Sequence, residues 1–276
     1  MSAIDETFRS LKSQGRKAFM PFVTAGDPDL EFTSAVLREV AGRGANLCEL
    51  GVPYSDPIAD GPVIQASYTR ALARKLKLAD ILGMTRATAP AISAPIVLMI
   101  SYAIIHRHGP EALIRDAQAA GVAGAIVPDL PVEEAAELAK LCRRADFSLI
   151  QLVAPTTTRE RALRIAETSS GFLYYVSVTG ITGERTTLPA DLVENVGWLR
   201  ERTELPIAVG FGISRPEHVR LLAPVADGLI VGSAIVRHVA ALGAEASNPA
   251  ARSAALRQIG EYVAELVAAL EPIKTR

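Results

Sequence analysis

The stretch Asn46-Leu47-Cys48-Glu49-Leu50-Gly51-Val52 is an apolar run that carries one carboxylate. It is one of eight short runs rich in β-branched residues, which are Ala18–Val23, Asn46–Val52, Pro95–Ile100, Ala123–Val127, Phe147–Val153, Phe172–Val178, Pro206–Val209 and Asp227–Val231. Amphipathic helical patterns separate them, and several of these begin at capping residues such as Asp29 and Thr158. Strands that alternate with helices without a break in composition predict an α/β fold, a closed (β/α)8 TIM barrel.

The chain of 276 residues is 49% hydrophobic, which suits one large barrel. We expect a single domain over residues 1–276, with an extra N-terminal helix from Ile4 to Ser13 lying across one end. The alternative is an open doubly wound sheet. Against it, no Gly-x-Gly-x-x-Gly motif opens a helix after the first strand, and Gly42-Arg43-Gly44 ends a helix instead.

Charge and cysteine usage exclude several classes of protein. The 29 basic and 30 acidic residues give a net charge of −1 without a charged block, so we expect no nucleic-acid or membrane-surface partner. No apolar stretch reaches the roughly 18 residues of a membrane span, and the N-terminus does not resemble a signal peptide. Cys48 and Cys142 both lie in apolar patterns, which favours buried thiols and a cytoplasmic location.

Glu49 is the first candidate catalytic residue. Strand alternation puts Leu47, Glu49 and Gly51 on one face, and both faces of a barrel strand are apolar environments. A carboxylate there must be paired or have a raised pKa, and a raised pKa suits proton transfer near neutral pH. The alternative is a structural glutamate paired with an arginine of a neighbouring strand.

The loop after this strand supplies a second candidate. Pro53, Pro57 and Pro62 restrain its backbone, and Asp60 lies between Ala59 and Gly61. Since loops that follow barrel strands lie at the C-terminal face, Asp60 can reach the same mouth as Glu49. The alternative is a surface turn with a solvated carboxylate.

Two further segments predict a ligand site at this face. Thr179–Pro189 contains two glycines and four threonines, which is typical of a lid, although an ordinary mobile loop is the alternative. The turns Val209–Ser214 and Val231–Ala234 follow the last two strands, where backbone N–H groups of barrel enzymes commonly hold phosphate. Ser233 adds a hydroxyl, and Gly183 of the predicted lid would close a third side.

Other features carry less chemistry. His106-Arg107-His108 is interpreted as a solvated loop rather than a metal site, and His218 and His238 as helix-surface residues. The six lysines, at positions 12, 17, 75, 77, 140 and 274, all miss the C-terminal ends of the strands. A Schiff-base aldolase is therefore disfavoured, and so is a divalent-metal aldolase for want of a ligand cluster.

Several motifs together resemble the tryptophan synthase alpha chain family over nearly the whole length. They are Phe22-Val23-Thr24-Ala25-Gly26-Asp27-Pro28, the segment from Glu49 to Gln65 that begins Glu-Leu-Gly-Val-Pro-Tyr-Ser-Asp-Pro, Pro128-Asp129-Leu130-Pro131, Gly210-Phe211-Gly212-Ile213 and Val231-Gly232-Ser233-Ala234.

The resemblance implies a TIM-barrel lyase that cleaves indole-3-glycerol phosphate to indole and glyceraldehyde 3-phosphate without metal or Schiff base. Glu49 would protonate the ring carbon that bears the side chain and take the proton of the glycerol hydroxyl. Asp60 would accept the indole N–H, and Thr182 would meet Asp60 when the lid closes. The implied indole slot comprises Phe22, Ile64, Tyr102, Val127, Tyr175 and Phe211. The implied phosphate site comprises Gly183, Gly212, Gly232 and Ser233.

The resemblance also implies a partner. A beta chain carrying pyridoxal phosphate would receive the indole in an alpha-beta-beta-alpha heterotetramer, while this chain would need no cofactor. One departure affects this expectation, because Ile100–Ile105 replaces the Thr-Tyr-Tyr-Asn-Pro-Ile usual in the family. A stand-alone lyase that releases free indole and a catalytically silent regulatory barrel are the alternatives.

Overall fold

The computed structural model describes residues 1–57, 60–177, 190–210 and 212–270. Its strands are β1 (Ala18–Thr24), β2 (Cys48–Gly51), β3 (Ile96–Met99), β4 (Val122–Ile126), β5 (Ser148–Ile150), β6 (Leu152–Val153), β7 (Leu173–Val176), β8 (Ile207–Gly210) and β9 (Gly228–Val231). All pairs are parallel, in the order β5-β4-β3-β2-β1-β9-β8-β7-β6. Because β5 and β6 are consecutive pieces of one segment, the two ends of the sheet meet and the predicted barrel is confirmed.

The fifth predicted strand is interrupted at Gln151, which gives nine strands in the described residues where eight runs were predicted. Before Gln151 the segment pairs with β4, and after it with β7. The Gln151 carbonyl accepts from Tyr174 N at 3.1 Å, and its Nε2 donates to Thr168 Oγ1 at 2.7 Å. The break is therefore the place where the backbone changes its hydrogen-bonding partner.

Twelve α-helices occur in the described residues. They are α1 (Ala3–Ser13), α2 (Leu30–Gly42), α3 (Pro62–Leu72), α4 (Leu78–Thr88), α5 (Tyr102–His108), α6 (Pro110–Ala119), α7 (Ala135–Arg144), α8 (Arg159–Thr168), α9 (Ala190–Arg200), α10 (Pro216–Leu222), α11 (Ser233–Ala240) and α12 (Pro249–Ala268). Ala89–Ala91 and Gly243–Ser247 form 3₁₀ turns.

The buried side chains form two layers, as expected for strands that are covered on both faces. The outer cluster lies between strands and helices and includes Val23, Cys48, Leu50, Leu98 and Val209. The inner cluster fills the barrel and comprises Ile4, Phe8, Leu11, Ala18, Met20, Phe22, Leu47, Ile64, Tyr68, Val97, Met99, Ile126, Ile150, Phe172, Tyr174, Ala208, Ile230 and Val236. Alternate residues of each strand therefore belong to different layers.

The predicted N-terminal helix closes the N-terminal end of the barrel. Its buried residues Ile4, Phe8 and Leu11 join the inner cluster, and the Phe8 and Phe172 ring centroids are 5.6 Å apart. Ser2 caps the helix by accepting from Asp5 N, and Ser148 Oγ donates to Ser2 Oγ at 2.8 Å. Apolar contact and polar pairing thus both hold α1 in place.

The histidines differ from the sequence expectations. His218 is buried rather than on the helix surface, and its Nδ1 accepts from Ser214 N at 3.3 Å. His238 is half-buried, with its ring centroid 4.9 Å from that of Tyr262. The His106–His108 stretch forms the last turn of α5 instead of a loop, and His108 Nε2 lies 2.9 Å from Asp116 Oδ2. His108 and His238 each contact a neighbouring helix, α6 and α12 respectively, and the pattern of a single helix does not show such contacts.

Candidate active site

Glu49 points into the barrel near its C-terminal end. It stands in register with Phe22 of β1 and Val97 of β3, both in the inner cluster. Its side chain is 0% exposed, and neither carboxylate oxygen has a hydrogen-bond partner among the described residues. Burial raises the pKa of Glu49 well above its ordinary value, because a desolvated carboxylate is disfavoured in its charged form.

The arginine partner that the sequence left open for Glu49 is absent from the described part of the chain. Arg70 of α3 instead donates two hydrogen bonds to Asp27, from Nε at 2.9 Å and from Nη2 at 2.7 Å. A buried charge without a counter-ion is costly, so Glu49 is not explained as a structural ion pair.

Asp60 is held next to the start of α3. Its backbone N–H donates to Pro57 O at 3.1 Å, and its carbonyl accepts from Gln65 Nε2 at 2.8 Å. Oδ2 is buried and has no partner among the described residues. Burial raises the pKa of Asp60 from 3.8 to about 6, so this carboxyl titrates closer to neutrality than an exposed aspartate does.

Tyr174 of β7 lies near both carboxyl groups. It belongs to the inner cluster, and a Cβ atom on Gly210 of β8 would lie 2.7 Å from its Cζ atom. Burial and then the charges of Glu49 and Asp60 raise the pKa of Tyr174 well above its ordinary value. The phenol therefore lies within the electrostatic reach of both acids, and only a glycine at 210 leaves room for its ring.

The predicted indole slot is corrected at two positions. Phe22 and Ile64 are in the inner cluster, whereas Tyr175 and Val127 pack in the outer cluster. The Tyr175 hydroxyl accepts from Asn195 Nδ2 of α9 at 3.2 Å, on the helix side of the sheet. The predictions for Tyr175 and Val127 are therefore wrong, since the inward residues of β7 and β4 are their neighbours Tyr174 and Ile126.

Tyr102 lies at the start of α5, beyond the end of β3, and packs half-buried against the outer cluster. Its N–H donates to Asp129 Oδ1 at 2.7 Å, and Ser101 Oγ donates to Asp129 Oδ2 at 2.6 Å. Ser101 also caps α5, by accepting from Ala103 N. The unusual Ile100–Ile105 segment is thus a capped helix start held by the Pro128–Pro131 motif, and Tyr102 as part of the indole slot stays a prediction.

Gly212 and Gly232 lie just beyond the ends of β8 and β9. Gly232 caps the N-terminus of α11 and Ser233 is its first residue, both half-buried. A Cβ on Gly232 would lie 3.5 Å from Phe22 Cβ, so this helix end adjoins the apolar wall. Gly212 is exposed with φ at +76°. Free N–H groups at a helix N-terminus attract anions, which makes phosphate a fitting ligand here.

Three predicted residues, Thr182, Gly183 and Phe211, lie outside the described residues. Within the described ranges, no three His, Cys, Asp or Glu side chains come together in a way that could hold a metal ion. The same part of the chain contains no helix long and apolar enough to span a membrane. Cys48 and Cys142 are free, buried thiols, as predicted.

A (β/α)8 barrel whose C-terminal mouth holds one buried and one half-buried carboxyl group, an apolar wall and a helix N-terminus suits an acid–base enzyme acting on an apolar, anionic substrate. A family model described as Tryptophan synthase alpha chain matches residues 8–265. Because this match spans most of the sequence, the chain belongs to the tryptophan synthase alpha chain family. It is a carbon–carbon lyase of tryptophan biosynthesis that cleaves indole-3-glycerol phosphate.

Individual relatives agree. The tryptophan synthase alpha chain of Rhodopirellula baltica is 62% identical over 243 residues, 87% of each chain, and that of Rippkaea orientalis is 49% identical over 241 residues, 87% of this chain and 90% of the relative. The crystal structure of tryptophan synthase subunit alpha from Legionella pneumophila is 34% identical over 98% of both chains, with a TM-score of 0.87. The stand-alone lyase and the silent barrel are therefore not favoured.

Proposed function

We propose that Glu49 is the proton shuttle of the cleavage. In its protonated form it gives a proton to the ring carbon that bears the glycerol side chain. As carboxylate it takes the proton of the glycerol hydroxyl, whose oxygen becomes the aldehyde oxygen while the C–C bond breaks. The observation that carries this proposal is a fully buried carboxyl without a partner among the described residues, whose pKa burial raises above its ordinary value.

We infer that Asp60 accepts a hydrogen bond from the indole N–H and stabilises the positive charge that develops on the protonated ring. Its pKa of about 6 leaves it mainly ionised at neutral pH. Two carboxyls whose environments hold their pKa values apart can act as acid and as electrostatic stabiliser in one site. Thr182 as a further partner of Asp60 stays a prediction.

For substrate binding, we infer that the indole packs against Phe22, Ile64 and Tyr174, and that the phosphate sits at the N-terminus of α11. Support comes from the membership of these three side chains in the inner cluster and from the cap position of Gly232 beside Ser233. Gly212 is a further phosphate contact in this proposal. Gly183 and Phe211 remain expectations.

The partner proposal rests on family membership. We infer that this chain works in the cytoplasm with a tryptophan synthase beta chain, in an alpha-beta-beta-alpha heterotetramer, and that the partner holds the pyridoxal phosphate. A tryptophan synthase from M. tuberculosis, 30% identical in sequence, matches this chain with a TM-score of 0.85. The two free buried thiols are compatible with a reducing compartment.

The decisive experiment is indole release from indole-3-glycerol phosphate by wild type and Glu49→Gln, each with and without beta chain. We expect Glu49→Gln to bind substrate but to lower kcat by roughly 10²–10⁴-fold, because the shape stays while the titratable group is lost. Glu217→Gln, at a 70% exposed side chain on α10, is the matched control and should match wild type.

Turnover by Glu49→Gln close to that of wild type would refute the shuttle. The partner proposal fails if activity of the isolated chain is high and unchanged by beta chain, or if light scattering finds no heterotetramer. The two halves of the proposal are thereby tested separately.

A further inference from the structure

Tyr68 is a further polar group at the barrel mouth. It lies on the buried face of α3, together with Ile64, Ser67 and Ala71, and belongs to the inner cluster. Its side chain is 1% exposed, and its ring centroid is 5.6 Å from that of Tyr54. Helix α3 therefore turns an aromatic side chain toward the catalytic strand.

The Phe22 ring and the Tyr68 hydroxyl together fill the space that a side chain at position 51 would take. A Cβ on Gly51 would lie 3.0 Å from Tyr68 Oη and 2.7 Å from Phe22 Cε2. Gly51 follows Glu49 by two residues, so both face the barrel interior. The phenol group thus sits one strand step beyond Glu49, toward the mouth.

This hydroxyl is buried and has no hydrogen-bond partner within the described ranges. Burial and then the charges of Asp60, Tyr54 and Glu49 raise its pKa well above the ordinary value. A buried donor without an acceptor is uncommon in proteins, and this one lies within the electrostatic reach of two carboxyl groups that also have unpartnered oxygens among the described residues. The groups complement one another chemically, and no hydrogen bond joins them among the described residues.

We propose that Tyr68 is a positioning residue of the lyase reaction, whose hydroxyl donates a hydrogen bond to the Asp60 carboxylate in the substrate complex. The bond aims Asp60 at the indole N–H and keeps it ionised. This inference rests on the proposed role of Asp60. The other titratable groups facing this position are Glu49 on β2, Tyr54 in the following loop and Tyr174 on β7.

The test is the pH dependence of kcat/KM for Tyr68→Phe, which keeps the ring and removes only the hydroxyl. We expect kcat/KM at neutral pH to fall by roughly tenfold to a hundredfold, the range for a hydrogen bond to a charged group. The acid limb of the profile should move to higher pH, because a carboxylate that loses a donor is protonated more easily. Tyr175→Phe, in the outer cluster, is the matched control and should leave the profile unchanged.

A double-mutant cycle with Asp60→Asn separates positioning from packing. In the Asp60→Asn background, the further loss caused by Tyr68→Phe should shrink to less than threefold, because the charged acceptor is gone. An unchanged profile for Tyr68→Phe, or a loss of activity with an unmoved acid limb and an undiminished effect in the cycle, would overturn the proposal.

Failure of this inference is distinguishable from failure of the proposed function. Inactive Glu49→Gln with normal Tyr68→Phe would refute the role of Tyr68 alone. Active Glu49→Gln would refute the shuttle itself, whatever Tyr68→Phe does.

Discussion

At the N-terminal end of the barrel, Ser2, Asp5 and Ser148 satisfy one another by hydrogen bonds, whereas at the mouth Glu49 and Asp60 Oδ2 are buried without a partner among the described residues. The first end lies under a packed helix with aromatic contacts. At the mouth, the burial of unpartnered carboxyl groups lowers the stability of the fold at the place where the reaction is proposed to occur. The N-terminal end of the barrel therefore stabilises the fold, whereas the C-terminal mouth is less stable and holds the reactive groups.

The largest effect that would sharpen this comparison is expected at the closed end. Phe172 is fully buried against Phe8, so Phe172→Ala should lower the free energy of unfolding by about 3–5 kcal/mol. Activity per folded molecule should be retained, because the site lies at the opposite end. Urea unfolding monitored by circular dichroism measures the loss. Val193→Ala, at an exposed position of α9, serves as control, and equal stability of both variants would contradict the assignment.

An intermediate effect of opposite sign is expected at the mouth. The folded-state pKa of Asp60 is raised from 3.8 to about 6, so the folded chain holds this proton more tightly than the unfolded chain. Wild type therefore loses stability as pH rises through this window, and Asp60→Asn escapes the loss. Above pH 6 the variant should be more stable by about 1–2 kcal/mol, after allowance for partial hydration, and the gain should vanish toward pH 4.

Thermal unfolding of Asp60→Asn between pH 4 and pH 8 checks this sign. The matched control is Asp56→Asn, since Asp56 is exposed in the same loop and should change stability by less than about 0.5 kcal/mol. If the stability difference between Asp60→Asn and wild type did not grow with pH, burial would not destabilise the charged form of the Asp60 carboxyl.

The smallest effect concerns the cap of α1. Ser2→Ala removes the acceptor for Asp5 N and the partner of Ser148, and should cost about 1 kcal/mol, or roughly 2–4 °C in Tm. Differential scanning calorimetry measures this shift, with the exposed Ser10→Ala as control. If Tm did not change, the polar network at the closed end would contribute nothing to stability.

The barrel, the N-terminal helix and the burial of Glu49 all follow from the sequence pattern. The errors at Tyr175 and Val127 have one physical cause. Both faces of a barrel strand are buried, so hydrophobicity does not reveal which of two neighbours points inward, and a slip of one residue exchanges the faces. Only the packing of β7 and β4 with their neighbours resolves it.

Tyr68 escaped prediction for a different reason. It stands in a helix after the acidic loop, whereas the predicted catalytic groups lie in strands and loops. The spacing of Ile64, Ser67, Tyr68 and Ala71 marks the buried face of that helix. This spacing predicts that the Tyr68 side chain is buried against the barrel.

Gly51 leaves room above Glu49 for a side chain that comes from another element. Because the strand presents no side chain at this position, helix α3 supplies the polar group instead. Substitutions on one helix can therefore change the polarity above Glu49 without altering strand register or barrel closure. Substitutions in helix α3 can therefore change the catalytic pocket during evolution, while the sheet that forms the barrel stays the same.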